Sequence, residues 1–469
     1  MTSTLDTREA MSASEVSYRP DVAVVGGGLA GIAAALDCAD AGARVVMLES
    51  RRRLGGAAYS TVRHGLRVDN GQHVFLRCCT EYRDLLERIG ATADVVLQPR
   101  LQIAVLSPGH RPASLTRSGL PAPLHLAGSL LRYPFVSARD RVALARSMRA
   151  LDRLDTDDPA VDARSFGDWL REQGQSRAAV ERLWELIARP TLNLRCDDAS
   201  LAQAAQVFQT GLLRDREAGD IGWAGVPLSD IHDRAARRAL TGSGVRVRLG
   251  CRARSIVVGN DGALRIEADC HPTLEVGAVI VAVPHERAAR LLRDTGAATP
   301  DLAPLGSSPI VELHVVYDRP VLGLPFAAAV NSPVQYVFDR TASAGATHGQ
   351  YLAVSLSAAD EEVDMTVEDL RERFAPALAA LLPAARSARI VDFFVTREHF
   401  ATFRASPNAR ARRPGTGTGR PGLFLAGSHT DTGWPATMEG AVRSGRAAAR
   451  EALASLSAAR RGRWEVMSA

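Results

Sequence analysis

The chain has 469 residues, 46% of them hydrophobic and 23% charged, with a formal net charge of +5 at neutral pH. That length buries a large core and calls for two interleaved or consecutive domains, while so modest a charge argues against a nucleic-acid partner. All 57 basic residues are arginine, so no lysine can act as a base or Schiff-base former. The first 19 residues are polar and mixed in charge and read as a disordered tail rather than a signal peptide. No run approaches the ~18 to 20 apolar residues that span a bilayer. The six cysteines (Cys38, Cys78, Cys79, Cys196, Cys251 and Cys270) show no CxxC or metal spacing and suggest no disulfide framework. The expectation is a reduced, cytoplasmic protein, free or peripheral at the inner face of the cell membrane.

In chain order, the apolar strand Val22 to Val25 leads directly into Gly26-x-Gly28-x-x-Gly31 and an alanine-rich helix. In that context Gly26 permits the tight turn, Gly28 lets a pyrophosphate approach the backbone, and Gly31 lets the helix pack on the strand. The phosphates then sit on the helix start, where Leu29 and Ala30 lie. After Gly42, a helix C-cap, the strand Arg44 to Leu48 ends in Glu49, an acid that accepts hydrogen bonds from ribose hydroxyls and repels a 2′-phosphate. The cofactor is therefore FAD or NAD, not NADP. Ser50, Arg51, Arg53, Gly55, Gly56 and Ala57 extend the motif past the acid as NAD domains do not, which selects FAD.

The stretch Leu120 to Val136, apolar and broken by proline, suits either a lip that dips into a membrane surface or a buried core segment. Val245 to Leu249 and Ala278 to Val283 read as strands, with a hairpin around Asn260-Asp261-Gly262 between them. In the strand Ile310 to Tyr317, alternation puts Glu312 and His314 on one face and Val311, Leu313 and Val315 on the other. Those two are an acid and a base if the polar face looks into a cavity, and the wet side of a half-buried strand if it looks at solvent. A strand pair through Tyr336 and Tyr351 follows, and Ala405 to Gly422 reads as a flexible loop. Near the end the strand LFLAG feeds a helix for which Pro435 suits the first turn, leaving free N–H groups around Thr437, Met438 and Glu439. The arginines of the last thirty residues (Arg443, Arg446, Arg450, Arg460, Arg461 and Arg463) with Trp464 either attract anionic lipid or form a solvated helix end.

The fingerprint, RRRLGGAAYS, DNGQH at Asp69 to His73 and the C-terminal GWPATMEGAVRSG together resemble the amine oxidase and carotenoid desaturase superfamily of FAD enzymes. Several middle segments resemble the bacterial hydroxysqualene dehydroxylases: RPTLNL at Arg189 to Leu194, VPLSDIHDRAARRAL, SPIVELHVVYDRPVLGLPFAA, SPVQYVFDR and ATFRASP. The likeness runs from about Asp21 to Leu453. It implies an α/β fold: a Rossmann-type, glutathione-reductase-like FAD-binding domain built from 20–80, 226–290 and 415–455. A mixed α+β substrate domain of 81–225 and 291–414 is interleaved with it, and 456–469 forms a basic tail.

The resemblance further implies non-covalent FAD held by the residues above together with Gly71, Gln72, Ala253, Gly427, Ser428, Thr437 and Met438, and no metal. Gly71 and Gln72 approach the flavin from the side opposite the C-terminal helix. The implied reaction takes hydroxysqualene, a triterpene alcohol, to squalene in a bacterial route to hopanoids. Its acid is sought in the order His73, Glu312, His314, with Trp434, Tyr336 and Phe338 shielding a cation. No second dinucleotide fingerprint is present, so an external electron donor of open identity re-reduces the flavin. One departure stands out: the family has Asp-Trp where this chain has Ser428-His429, which weakens the expected grip on the ribityl chain. The rival readings are a carotenoid desaturase and a non-catalytic flavin-binding isoprenoid carrier. An amine oxidase is disfavoured because those enzymes commonly use a lysine beside the flavin, and the absence of any cysteine after Cys270 excludes a cysteinyl-flavin bond from the C-terminal segment.

Overall fold

The computed structural model describes residues 19–259, 262–298 and 301–468. The tail expected over 1–19 lies outside them except for Arg19, which pairs with Glu275 at 2.5 Å, and so does the Asn260-Asp261 hairpin tip.

Five parallel strands form the first sheet in the order Arg246–Leu249, Val45–Glu49, Val22–Val25, Ala278–Val281, Leu423–Leu425. All but the edge strand Arg246–Leu249 are buried along their length, which is why they are unbroken apolar runs rather than alternating ones. Val25 is level with Leu48 and with Val281, and Val281 with Leu425. The carboxyl ends of strands from distant parts of the chain are thus aligned along one crevice. The helix Leu29–Asp40 packs against the sheet and against the long C-terminal helix Met438–Ser468. Small residues set that contact: a Cβ on Gly445 would stand 2.1 Å from the carbonyl oxygen of Ala30. The C-terminal helix continues through the stretch read as a basic tail. Pro435 was expected in its first turn, but the helix starts only at Met438, and the N–H of Thr437 is not free, since it donates to the Pro435 carbonyl at 2.8 Å.

Between the strands expected at 245–249 and 278–283 the structure adds a three-stranded antiparallel sheet, Ala253–Val258, Leu264–Ala268 and His271–Val276. Ala253 faces Ala268 across the first hairpin. The residues just beyond them, Cys251 and Cys270, are thereby brought to a Cα separation of 5.2 Å and joined by a disulfide. The expectation of a chain without disulfides is corrected here, and the physical cause is hairpin register. Cys38, Cys78, Cys79 and Cys196 remain thiols, Cys38 in the core as expected.

A seven-stranded sheet follows the order Ile390–Thr402, Ser308–Tyr317, Gln350–Ser357, Tyr336–Asp339, Phe326–Ala329, Gln102–Leu106, Ala113–Thr116. One of its faces carries Val311, Leu313, Val315, Val337 and Val354 into a core shared with Phe374 and Leu378 of the helix Val367–Leu381. The opposite face is also covered. Thr396 on that face donates to the carbonyl of Asn70 at 3.2 Å, and Glu398 accepts from Asn70 and Tyr59 at 2.9 and 3.1 Å. Helices between Ala127 and Leu213 close the remaining side around Trp184, Phe166 and Phe208. Among the described residues no helix is long and apolar enough to cross a membrane.

Candidate active site

At the end of the first strand, a Cβ on Gly31 would lie 1.9 Å from the Gly26 carbonyl oxygen, and one on Gly26, at φ +111, would lie 2.3 Å from that of Ala282. No other residue type fits this turn. Gly28 faces Gly56, whose Cβ would come within 2.8 Å of the Gly28 Cα. Gly28 also starts the helix, and no side chain caps the first turn through Leu29, Ala30 and Gly31. A turn lined by glycine and followed by uncapped helical N–H groups fits a pyrophosphate.

Glu49 is buried and holds the loop together. One carboxylate oxygen accepts from the Gly27 N–H at 2.7 Å, and the other from the Arg51 N–H at 2.7 Å and the Ser50 hydroxyl at 3.2 Å. Arg53 turns inward: it donates to the carbonyl of Gly56 at 3.0 Å and stacks 3.5 Å over the Tyr59 ring. The Gly55 N–H donates to Gly27 at 2.9 Å, and the Ala57 carbonyl accepts from Asn70 at 2.8 Å. Ala253 opens its strand two residues beyond Cys251, whose N–H donates to the Glu49 carbonyl at 2.9 Å.

Across the crevice Gly427 donates to the Ser444 hydroxyl at 2.8 Å, and the Ser428 carbonyl accepts from Arg413 at 3.3 Å. Thr437 caps the C-terminal helix by accepting from the Gly440 N–H at 3.1 Å, and Met438 packs on the core shared with the fingerprint helix. Burial pushes the His429 imidazole down to about 3, so it is neutral. The expected cofactor residues of the two chain ends thus follow the carboxyl ends of the strands Val22–Val25, Val45–Glu49 and Leu423–Leu425.

Further along, a small cleft is lined by Gln72, His73, Trp223, Phe338 and Arg340 among others. Gly71 leads into it, 3.8 Å from the His73 ring nitrogen as measured from an ideal Cβ. His73 is half-buried, and burial lowers its pKa against the pull of Asp69 and Glu398. Glu312 and His314 both have 0% exposure, so the reading of a solvent-wet face is corrected: the face is covered by the DNGQH segment.

The environments of these two residues differ sharply. His314 has both ring nitrogens engaged, with Tyr351 at 2.7 Å and Thr396 at 2.9 Å, and stacks 4.5 Å from Phe394. Burial drives its pKa down to about 3. A neutral imidazole with no free nitrogen positions its neighbours and donates no proton to substrate, which removes it as an acid.

Glu312, by contrast, has neither carboxylate oxygen in a hydrogen bond. Ser355 and Gln72 stand beside it outside hydrogen-bond geometry, and the Gln72 amide nitrogen is unpaired as well. Burial pushes the carboxyl up to about 8, with Ser355 and Gln72 offsetting part of the shift, so at neutral pH it is largely a carboxylic acid. These orphaned polar atoms sit where a cofactor or substrate could pair with them.

An aromatic wall flanks the cleft. Trp223 and Phe326 are 5.6 Å apart, Phe326 and Phe338 5.6 Å, and Phe338 and Tyr336 6.2 Å. Trp434 is not part of it; it lies 4.9 Å beneath the Arg443 guanidinium. Sequence reasoning gave no role to the buried pair Arg340–Asp69 or to Glu398, although both Asp69 and Arg340 sit in segments singled out for other reasons.

Comparison with known proteins agrees with this geometry. Residues 29–453 match the family described as flavin containing amine oxidoreductase. The chain is 30% identical over 440 residues to the hydroxysqualene dehydroxylase of Rhodopseudomonas palustris, covering 92% of this chain and 98% of that protein. It is 25% identical over 483 residues to the chloroplastic/chromoplastic zeta-carotene desaturase of Arabidopsis thaliana, covering 91% and 84%. A solved structure of putrescine oxidase bound to putrescine shares the fold, with a TM-score of 0.70 at 20% identity over 93% of this chain and 99% of that one. A cofactor crevice built from both ends of the chain and a family match spanning almost all of it lead to one conclusion: the chain belongs to the flavin-containing amine oxidoreductase family and is an FAD-dependent oxidoreductase.

Proposed function

We propose that this enzyme reductively dehydroxylates hydroxysqualene to squalene. The likeness to the Rhodopseudomonas palustris protein over nearly its whole length supports the substrate class, and Glu312 carries the choice of reaction. An allylic hydroxyl leaves as water only once its oxygen is protonated, and a buried carboxyl held up at about 8 has a proton to give at neutral pH. A desaturase, which must remove a proton from its substrate, is served poorly by an acid in that state. FAD in its reduced form supplies the hydride that replaces the hydroxyl, so the carbon gains two electrons, one water leaves, and an external donor restores the cofactor.

The chain's own residues do the rest. Glu312 gives its carboxyl proton to the leaving oxygen, with the unpaired Gln72 amide beside it. The faces of Phe338 and Tyr336 shield the developing cation at roughly 0.5 to 2 kcal/mol each. Sealing of the seven-stranded sheet against the DNGQH segment keeps water from recapturing it. Bound FAD would be held by Gly26, Gly28 and Gly31 at its pyrophosphate, by Glu49 at a ribose and by Gly427 and Ser428 along the ribityl chain.

The test is a single anaerobic turnover in which the chemically reduced protein meets hydroxysqualene while flavin absorbance and extracted lipid are followed. Flavin reoxidation with stoichiometric squalene supports the proposal. Flavin that stays reduced with the alcohol recovered, together with reduction of oxidised flavin by a carotene, moves the assignment to desaturation.

A further inference from the structure

The stretch Leu120 to Val136 turns two faces to its surroundings. Tyr133, Phe135 and Val136 are inside, in the apolar core that also holds Phe338. Leu120, Leu124 and Leu131 point outward with 52%, 57% and 67% exposure. Leu124–Leu126 and Ala127–Arg132 form one continuous helical run, and a spacing of seven residues puts Leu124 and Leu131 on the same side of it. The helix Ala138–Asp152 follows in the chain. Arg139, Val142, Arg146 and Arg149 recur at helical spacing and are all exposed, Val142 at 63%. Arg141 fixes the two helices together by donating to the Tyr133 carbonyl at 2.8 Å.

Arginine dominates the charge on this surface. Between Gly119 and Arg149 the sole acid is Asp140, which is 7% exposed and serves as the capping partner of Ser137. Among the described residues Arg132, Arg139, Arg146 and Arg149 enter no ion pair. Asp152, at the end of the same helix, is paired with Arg214 at 3.5 Å, and Glu217 with Arg216 at 3.3 Å. Of the C-terminal arginines, Arg443 is bound to Glu439, and Arg446 to Glu81 and Asp84. Side chains of Arg460, Arg463 and Trp464 lie outside the described set.

We infer that the face carrying Leu124 and Leu131, rimmed by Arg139, Arg146 and Arg149, docks on an anionic lipid bilayer. Exposed aliphatic side chains enter the headgroup boundary while unpaired arginines meet lipid phosphate and carboxylate groups. On the inner side of the same segment Tyr133 stands close to Tyr336 of the aromatic wall, which is the side offered to a lipophilic substrate arriving from the bilayer. The docking surface itself does not depend on which reaction the cleft performs.

The test is co-sedimentation of the full chain, flavin bound, with vesicles of phosphatidylcholine alone and of phosphatidylcholine mixed with phosphatidylglycerol. The protein is expected to partition onto the mixed vesicles and to leave them as salt rises. L124S/L131S lowers partition on the order of tenfold or more, and R139Q/R146Q/R149Q on the order of a hundredfold. F400S, which removes a side chain 73% exposed elsewhere, leaves partition unchanged. Flavin content equal to that of the parent shows that each variant is folded. Equal sedimentation with both lipids, no sedimentation with either, variants that bind like the parent, or loss confined to F400S each overturns the inference.

Discussion

Arg340 and Asp69 form a buried ion pair, 2.9 Å apart with side chains 8% and 5% exposed, that fastens the seven-stranded sheet to the DNGQH segment. The arrangement is fully bonded: Arg340 also donates to the Ala224 carbonyl at 2.7 Å, and Asp69 accepts from the Ser60 hydroxyl at 2.7 Å and the Leu228 N–H at 3.0 Å. Removing one partner leaves the other charge buried. Arg340→Leu is therefore expected to cost about 3 to 5 kcal/mol in denaturant unfolding and to loosen the cleft that Gln72 and His73 line. The double variant Arg340→Leu/Asp69→Leu should recover part of that loss. A single variant as stable as the parent would sink the idea.

The state of Glu312 predicts a pH dependence of stability with a definite sign. Its folded pKa, about 8, lies above its ordinary value of 4.5, so between those values the unfolded chain has lost a proton that the folded protein keeps. Stability falls as pH rises through that window by about 1.4 kcal/mol per pH unit, and below it the residue contributes no pH dependence. Glu312→Gln removes this slope, so its melting temperature should gain on that of the parent steadily from pH 5 to pH 8. The same substitution should slow single-turnover dehydroxylation by the ~10²- to 10⁴-fold that general acid catalysis supplies. A parallel pair of melting curves would show that the carboxyl is already ionised.

At the other end of the crevice Glu49 binds by geometry as well as charge, since its two oxygens hold the Gly27 and Arg51 N–H groups. Glu49→Arg replaces two acceptors with donors and should yield protein purified without flavin. Glu49→Gln keeps one acceptor oxygen and should retain an intermediate flavin content. The ratio of flavin to protein absorbance reads both outcomes, and full flavin content in Glu49→Arg would contradict the role assigned to the acid.

How much of this was legible beforehand depends on sequence distance. The fingerprint turn, Glu49 and the Gly55-Gly56 turn lie within some thirty residues of one another, so local glycine and strand chemistry displays them. The alternation in Ser308–Tyr317 was visible, but not what lay over it. A strand buried on both faces carries no sequence mark telling which partner covers each side, and the cover over Glu312 comes from a segment about 240 residues earlier. The Arg340–Asp69 pair spans 271 positions and is set by tertiary packing alone. Pro435 marked the approach to the C-terminal helix; the helix itself waited for the Thr437 cap.

The disulfide was hidden for a related reason. From Val258 opposite Leu264 to Ser255 opposite Glu267 the hairpin keeps one register, which continued unbroken would set position 251 opposite position 271. A shift between Ala253 and Ser255 puts Ala253 opposite Ala268 instead, and it is this irregularity that brings Cys251 to Cys270. Inspection of spacing alone, with its search for CxxC, passes over such a pair because the relevant separation is a property of the fold. Cys251 also donates its N–H to the Glu49 carbonyl, so the crosslink fixes the hairpin to the strand end that carries Glu49. Thiol titration of unreduced, denatured protein should find four reactive groups, Cys38, Cys78, Cys79 and Cys196, and six after reduction. Reduction or Cys270→Ser should then free the hairpin and speed flavin loss on dilution without altering the melting of the seven-stranded sheet. Six thiols before reduction would show that the cysteines face each other unbonded.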